Sequence, residues 1–133
     1  MDFEQIRQAV EGRLFTWDGA PVAYDNAPAG QAVTDAQSSK SPWVRCVVQH
    51  GDSQTASVGS DPRVRRTGMV MCQVFTDRKI GSKTAMDIAS SLAGHLEYYQ
   101  DGKFLTRAAS VNRIGDEGGG WYQINVSVPF VAD

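Results

Sequence analysis

The segment from Tyr122 to Phe130 constrains the fold more than any other part of the 133-residue chain, because apolar and polar residues alternate along it. Successive side chains of a strand point to opposite faces of a sheet, so a period of two predicts a strand with one buried face. Other elements must pack on that face of the sheet and bury it. The apolar positions are Tyr122, Ile124, Val126, Val128 and Phe130, and the polar ones between them are Gln123, Asn125 and Ser127.

Two segments have the apolar periodicity of amphipathic helices and can bury this face. The first runs from Asp2 to about Phe15 and opens with Asp2 and Gln5 in the spacing of a capping box. The second runs from Lys83 to Tyr98, with Ser82 placed as its N-cap. Each has apolar residues along one face: Phe3, Ile6, Val10 and Leu14 in the first, and Ala85, Ile88, Ala89, Leu92, Leu96 and Tyr99 in the second.

The remaining segments favour strands joined by turns and loops. Residues 25–42 hold two prolines, a glycine and three serines without a clear period, which predicts a long loop. The glycine-rich residues 115–120 predict a second flexible loop, and both loops suit segments that become ordered on contact with a partner. Further strands are predicted at 22–24, 43–50, 67–76, 103–109 and 110–114, with a brief extended piece at 57–59 and a polar turn at 51–56.

The order of elements is helix, strands, helix, strands, which indicates the α+β class. We expect one domain over residues 1–133, built as two layers: a mainly antiparallel β-sheet with the two amphipathic helices packed on one face. Hydrophobic residues make up 41% of the chain and charged residues 21%, which argues against a disordered or fibrous protein.

Charge and hydropathy argue against two classes of partner. The formal net charge is -2, whereas proteins that coat nucleic acid are usually strongly basic. Apolar runs are only a few residues long, far short of the roughly 20 residues that span a bilayer. Residues Met1 to Glu4 lack the basic and apolar regions of a secretion signal. We therefore expect neither a membrane partner nor specific nucleic-acid binding.

The two cysteines, Cys46 and Cys72, lie in strand-like segments and lack the CxxC spacing of a metal site. We expect two buried, reduced thiols in a protein made in the cytoplasm. A cross-strand pair would still be open to oxidation if the two strands are neighbours.

No residue pattern meets the requirements of a catalytic, cofactor or metal site. His50 and His95 lie 45 positions apart, without an acid at a triad-like spacing, and His95 is expected to be exposed. Residues 81–84 read Gly-Ser-Lys-Thr but lack the glycine pattern of a phosphate loop. Asp116 and Glu117 are adjacent acids in a glycine-rich loop and lack the geometry of a catalytic pair. We expect no enzymatic activity and no cofactor.

Arg63, Arg65 and Arg66 form the main basic concentration of the chain. Charge on an edge strand discourages unwanted pairing, which is one interpretation. Contact with a subunit or partner is a second. Phosphate binding is a third and less favoured one, because no aromatic residues interleave the arginines. The candidate contact residues are these three arginines together with Asp116 and Glu117.

This organisation resembles the tail terminator (tail completion) family of long-tailed bacteriophages. The opening helix at 2–17 resembles that of the family, and Pro42 to Val48 resembles the strand after its long loop. Thr67 to Phe75, followed by a glycine-containing turn and the helical segment 85–96, resembles its central strand-turn-helix. The glycine-led Trp-Tyr strand that ends in Pro-Phe, residues 119–130, is the most specific part of the resemblance.

The resemblance implies a structural virion protein, assembled in the host bacterial cytoplasm, that caps the head-proximal end of the tail tube. The family forms a ring of six subunits that ends tube polymerisation and presents a surface for head-tail joining. The implied partners are further copies of the chain, the tail tube protein and the head-tail connector protein. The family uses neither catalytic residues nor a cofactor.

Two other functions stay open at this point. A head-completion or connector protein of the same virion would share the assembly role but bind the portal assembly instead of the tube end. A small ligand-binding α+β domain would need a pocket with converging polar groups, and the sequence offers no such set.

Overall fold

The computed structural model describes all residues from Met1 to Asp133 and contains three α-helices and eight β-strands. None of the helices has the length and apolar character needed to span a membrane. The helices are α1 (Phe3–Phe15), α2 (Gln31–Ser39) and α3 (Lys83–Leu96). The strands are β1 (Val22–Tyr24), β2 (Trp43–His50), β3 (Gln54–Thr55), β4 (Val64–Asp77), β5 (Gln100–Asp101), β6 (Phe104–Thr106), β7 (Ser110–Asp116) and β8 (Trp121–Ala132).

The strands form one mixed sheet in the order β1-β2-β4-β8-β6-β5, with β3 added to β4 and β7 added to β8. β1 runs parallel to β2, and the other paired strands are antiparallel. The longest pairing joins β4 to β8 through twelve residue pairs, from Arg66 opposite Ala132 to Asp77 opposite Trp121. The strand predicted from the alternating pattern is confirmed as β8, and it lies inside the sheet.

The main core lies on one face of this sheet. The alternating residues Ile124, Val126 and Val128 of β8 are fully buried, and they belong to a cluster of 20 buried residues. α1 contributes Ile6, Ala9, Val10 and Leu14 to the same cluster, and α3 contributes Ala85, Ala89, Leu92 and Leu96. The two helices predicted from periodicity therefore bury most of the predicted stripes, although Phe3 is 47% exposed and Ile88 is only partly buried.

The start of α1 has the predicted capping box. The Gln5 backbone N–H donates to Asp2 Oδ1 at 2.7 Å, and the Asp2 backbone N–H donates to Gln5 Oε1 at 2.8 Å. These two bonds satisfy donors that a helix start leaves without partners. Ser82 occupies the predicted N-cap position of α3, but its side chain makes no capping hydrogen bond.

The prediction of a long loop at 25–42 is wrong, because α2 occupies Gln31–Ser39. This helix buries only Val33 and Ala36, which pack in a second cluster with Trp43 and Phe75. Trp43 and Phe75 are sequence neighbours of core residues, so they point to the opposite face of the sheet. The α+β class is as predicted. The two-layer arrangement with two helices on one face is not confirmed, since a third helix packs on the other face.

In the basic stretch at 63–66, Val64 and Arg65 pair with β3 alone, and β2 pairs with β4 only from Gly68 onward, so edge protection stays an open interpretation of these arginines. β4 begins at Val64, three residues before the predicted start, and lies between β2 and β8 in the sheet. Arg65 lies opposite Gln54 of β3 within this longer strand. The brief strand expected at 57–59 is not formed, and β3 lies at Gln54–Thr55 within the predicted turn instead.

β7 forms the edge of the sheet beside the first half of β8. Six of its seven residues are exposed, and its register against β8 shifts between Arg113 and Gly115. Gly115 has a φ of 92°, a conformation that glycine adopts without strain. An irregularity of this kind bends the strand and increases its local twist.

Gly68 lets β4 pass close to its two neighbours in the sheet. It lies opposite His50 of β2 and Phe130 of β8, and the ring of Phe130 covers the place of the missing side chain. A Cβ atom there would meet the carbonyl oxygen of Gln49 and, at 2.5 Å, the ring of Phe130. The position therefore requires a residue without a side chain.

We expect Gly68→Ala to lower the free energy of unfolding by about 1–3 kcal/mol, because the added methyl overpacks the contact with Phe130. Gly12→Ala is the matched control, since a Cβ at Gly12 meets nothing within 4 Å and lies within α1. That control is expected to stabilise the protein by up to about 1 kcal/mol. Urea denaturation followed by circular dichroism measures both. Equal stability of Gly68→Ala and the natural protein would contradict the expected clash.

Candidate assembly surfaces at the two ends of the sheet

The five predicted contact residues lie at opposite ends of the sheet. Arg63, Arg65 and Arg66 lie at the start of β4, a region called here the basic end. Asp116 pairs with Tyr122, which lies opposite Thr76 near the end of β4. This second region, called the loop end, holds α2, Trp43, Phe75 and residues 115–121. Arg65 and Thr76 are eleven positions apart along β4, which corresponds to about 35 Å of extended strand.

At the basic end, two of the arginines bind the chain termini. Arg65 Nε donates to Asp133 Oδ1 at 2.8 Å. Arg66 Nε donates to the carbonyl oxygen of Met1 at 3.0 Å, and its guanidinium lies 4.2 Å from the ring centroid of Phe3. The Met1 ammonium donates to the main-chain oxygen of Asp133 at 2.6 Å. Arg65 and Arg66 therefore have intramolecular roles whether or not they also meet a partner.

The hydrogen bond from Arg65 lowers the pKa of the Asp133 side chain below its usual value, with smaller effects from Arg63 and Lys103. Both partners of this ion pair are largely exposed to solvent, so screening limits what it contributes to folding. Its main effect is to fix the orientation of Asp133 beside β4.

The segment between β2 and β4 presents residues that the fold itself does not use. The Arg63 backbone N–H donates to Ser57 Oγ at 2.7 Å, but the Arg63 guanidinium makes no hydrogen bond or ion pair. Val58 is 99% exposed at the tip of this segment. The side chains of Val58 and Arg63 are therefore available for contact with a partner.

At the loop end, the two segments predicted to become ordered on binding lie against each other. Lys40, which follows α2, has its ammonium 4.5 Å from the ring centroid of Trp121. Trp43 stacks on Phe75 with ring centroids 4.5 Å apart, and Trp121 meets Trp43 edge to face at 6.1 Å. Arg45 lies over the rings of Trp43 and Phe75. The result is an aromatic cluster flanked by cations.

The two acids of the 115–120 loop are exposed and help to shape its turn. Asp116 Oδ1 accepts from the Gly118 backbone N–H at 2.9 Å, and Arg78 donates to its other oxygen at 3.3 Å. Glu117 Oε1 accepts from the Gly119 backbone N–H at 2.7 Å. Glu117 forms no ion pair, so its charge is available to a partner.

The histidines have structural contacts. His95 is half-buried, so the expectation of an exposed side chain is wrong. Its Nε2 lies 2.8 Å from the carbonyl oxygen of Arg13 and 2.9 Å from Thr16 Oγ1, which ties α3 to the end of α1. His50 is exposed, with its ring against Phe3 at 4.9 Å between centroids.

A groove of about 460 Å³ runs between α1 and β2, with Cys46 among its lining residues and His50 at its rim. The charged groups of α1 there are already paired: Arg7 binds both Glu4 and Glu11. The hydrogen bond from Arg7 lowers the pKa of Glu4 to about 2. The remaining polar lining residues are Asp25, Asn26 and His50.

A family model described as phage tail terminator protein matches residues 5–130, which is nearly the whole chain. The chain belongs to the phage tail terminator family. The residues outside the match include Met1 and Asp133, which the two arginines bind. Family membership makes the chain a structural component of the phage virion tail, in a family that is not known as enzymatic.

The fold also has counterparts among solved structures, of which eight chains match. One of them is similar to this chain with a TM-score of 0.69 and 19% sequence identity, over 100% of this chain and 96% of that chain. At 19% sequence identity, this similarity shows only that the two chains share a fold. The comparison with curated protein sequences gave no match.

We expect Arg65→Gln to raise the pKa of Asp133, because the replaced guanidinium is the largest cause of its depression. A depressed pKa stabilises the folded state above the unfolded-state pKa, and this contribution is lost as pH falls through the folded pKa. NMR titration of the Asp133 carboxyl measures the change. Lys103→Gln is the control and should have a smaller effect, since Lys103 is a lesser cause. Equal effects of the two changes would contradict the assignment.

Proposed function

We propose that the protein caps the head-proximal end of the phage tail tube as a homo-oligomeric ring, which ends tube polymerisation and offers a surface for head-tail joining. The family match over residues 5–130 carries this proposal. A ring of six is the expected size.

The two ends of the sheet support such a role. A cap between a tube and a connector needs two different contact surfaces on opposite sides of one subunit. The basic end presents Arg63 and Val58, whereas the loop end presents Lys40, the half-buried ring of Trp121 and the acids of the 115–120 loop. These surfaces differ in chemistry and are separated by about 35 Å of strand.

Ring closure requires head-to-tail contacts between two different patches of each subunit. We propose that Arg63, with Arg65 and Arg66 beside it, faces an acidic surface of a neighbouring subunit or of the tube protein. Complementary charge of this kind guides docking and fixes its orientation. Asp116 and Glu117 are proposed to serve the contact at the loop end.

A head-completion or connector protein would use the same two ends for other partners. Tube assembly with purified tail tube protein separates the two functions. A terminator, labelled with an antibody, should decorate one end of each tube in electron micrographs and arrest its growth. Binding to the portal assembly, with no effect on tube length, would instead favour the connector function.

We expect Arg63→Glu to weaken the binding of the partner at the basic end by about tenfold or more, because the reversal opposes the complementary charge. Thermal stability should change little, since the Arg63 side chain makes no hydrogen bond or ion pair and has only a minor electrostatic effect on Asp133. Arg63→Lys keeps the charge and serves as the control. Tube capping and partner affinity are the measurements, and normal capping by Arg63→Glu would remove this residue from the interface.

The double change Arg65→Glu and Arg66→Glu tests the neighbouring arginines. It also removes contacts to Met1 and Asp133, so thermal stability is measured alongside capping. Normal assembly of this variant would exclude both residues from the contact.

We expect Glu117→Lys to impair the contact at the loop end and to leave the contact at the basic end unchanged. Glu117→Gln is the control, because an amide oxygen still accepts from the Gly119 backbone N–H. The two variants are compared in tube capping and in head-tail joining with purified components. Loss of both functions in Glu117→Lys would show that the two ends do not act separately.

A further inference from the structure

The two cysteines lie side by side in the centre of the main core. Cys46 of β2 is directly opposite Cys72 of β4, and their Sγ atoms are 2.7 Å apart. Both are free thiols, and their residues are 3% and 0% exposed. The question left open by the sequence, whether the two strands are neighbours, is thus answered.

The strand geometry suits a covalent bond between these residues. Directly opposed residues of an antiparallel pair have Cα atoms about 4.5–5.5 Å apart. Disulfides span Cα separations of about 4.4–6.8 Å, so β2 and β4 need no rearrangement to accommodate one. Both side chains also point to the same face of the sheet, since they are opposed in register.

We propose that Cys46 and Cys72 are a modification site at which a peroxide forms an intramolecular disulfide between β2 and β4. Hydrogen peroxide is the oxidant. The Cys46 thiolate attacks one peroxide oxygen, the O–O bond breaks and hydroxide leaves, which gives a sulfenic acid. The Cys72 thiol then attacks that sulfur, and the S–O bond breaks as water leaves with the thiol proton. In total, two thiols are oxidised and one peroxide is reduced to two water molecules.

The limited access to Cys46 favours hydrogen peroxide over larger oxidants. Cys46 lines the groove between α1 and β2, whereas Cys72 is fully buried behind it. A peroxide is close in size to water and fits such an opening, but a tripeptide disulfide such as oxidised glutathione does not. The order of attack follows, with Cys46 oxidised first and Cys72 resolving the sulfenic acid.

The environment makes the reaction slow. Burial raises the pKa of the Cys46 thiol well above its usual value, and the neighbouring Cys72 raises it further. Because the thiolate is the reactive form, a raised pKa reduces its population at neutral pH. Slow oxidation suits a lasting cross-link better than a rapid signal.

The disulfide would close the chain between positions 46 and 72, a segment that includes β3, Val58 and Arg63. Cross-linking a segment of this length restricts the unfolded chain and stabilises the folded one. The disulfide would also join β2 and β4 covalently within the sheet. A tail protein also leaves the reducing cytoplasm with the released particle, which would place the oxidation after assembly. This timing rests on the proposed function, whereas the cross-link itself does not.

The test uses the purified, fully reduced chain in its folded state. Samples are incubated with hydrogen peroxide or with oxidised glutathione, quenched, unfolded and treated with a maleimide that labels remaining thiols. Intact-mass measurement and peptide mapping then identify the product. We expect peroxide to yield an unlabelled monomer, lighter by two hydrogens, with Cys46 joined to Cys72. We expect oxidised glutathione to leave both thiols free over the same period.

Thermal unfolding supplies a second readout. The oxidised protein should melt on the order of 10 °C above the reduced one, and treatment with a reductant after unfolding should reverse the difference. Cys72→Ala is the matched control: peroxide should oxidise its Cys46 without raising the melting temperature. If that variant does not fold, peptide mapping of the natural chain still decides the outcome.

Three results would overturn the proposal. Both thiols could stay free after prolonged peroxide treatment, Cys46 could proceed to sulfinic acid while Cys72 stays a thiol, or disulfides could form between chains. Tube capping before and after oxidation separates this inference from the proposed function. Failure to cap tubes in both redox states would contradict the function and leave the disulfide intact.

Discussion

The pairing between β4 and β8 organises the molecule. Its twelve residue pairs bring the buried residues Val70, Cys72 and Val74 of β4 beside those of β8, which makes one continuous apolar face. β2 and β3 attach to β4, and β6 and β7 attach to β8, so most of the sheet depends on this ladder. A shift of one residue would turn the apolar face to solvent, which fixes the register strongly. α1 and α3 are held by the surface that results.

The parts of the fold with strong periodicity could be predicted from the sequence. The alternation in β8 and the apolar stripes of α1 and α3 are long enough to distinguish a strand from a helix. α2 was missed because its nine residues bury only Val33 and Ala36, and because Gly30 caps it without a side-chain hydrogen bond. Its stability comes from packing against Trp43 and Phe75, and Phe75 is distant in sequence, so tertiary contact outweighs local propensity there.

The candidate surfaces could be predicted from the sequence only in part. The sequence marks Arg63, Arg65 and Arg66 as a basic group, but it does not show that two of them bind the chain termini. Which arginine stays free depends on the course of β4 and β8. The contact between Lys40 and Trp121 could not be predicted from the local sequence either. The two residues are far apart in the chain, and only the fold brings them together.

The irregular edge at β7 has a consequence for the free subunit. A regular exposed strand is a template for pairing with another chain, and this hazard grows as a protein accumulates before it is used. The shifted register at Arg113 and Gly115, with charged residues along the strand, disfavours such pairing. The chain is therefore less prone to aggregate through this edge. Contact with a partner at this edge is then left to side chains, which can be matched to one partner, whereas backbone edges accept many.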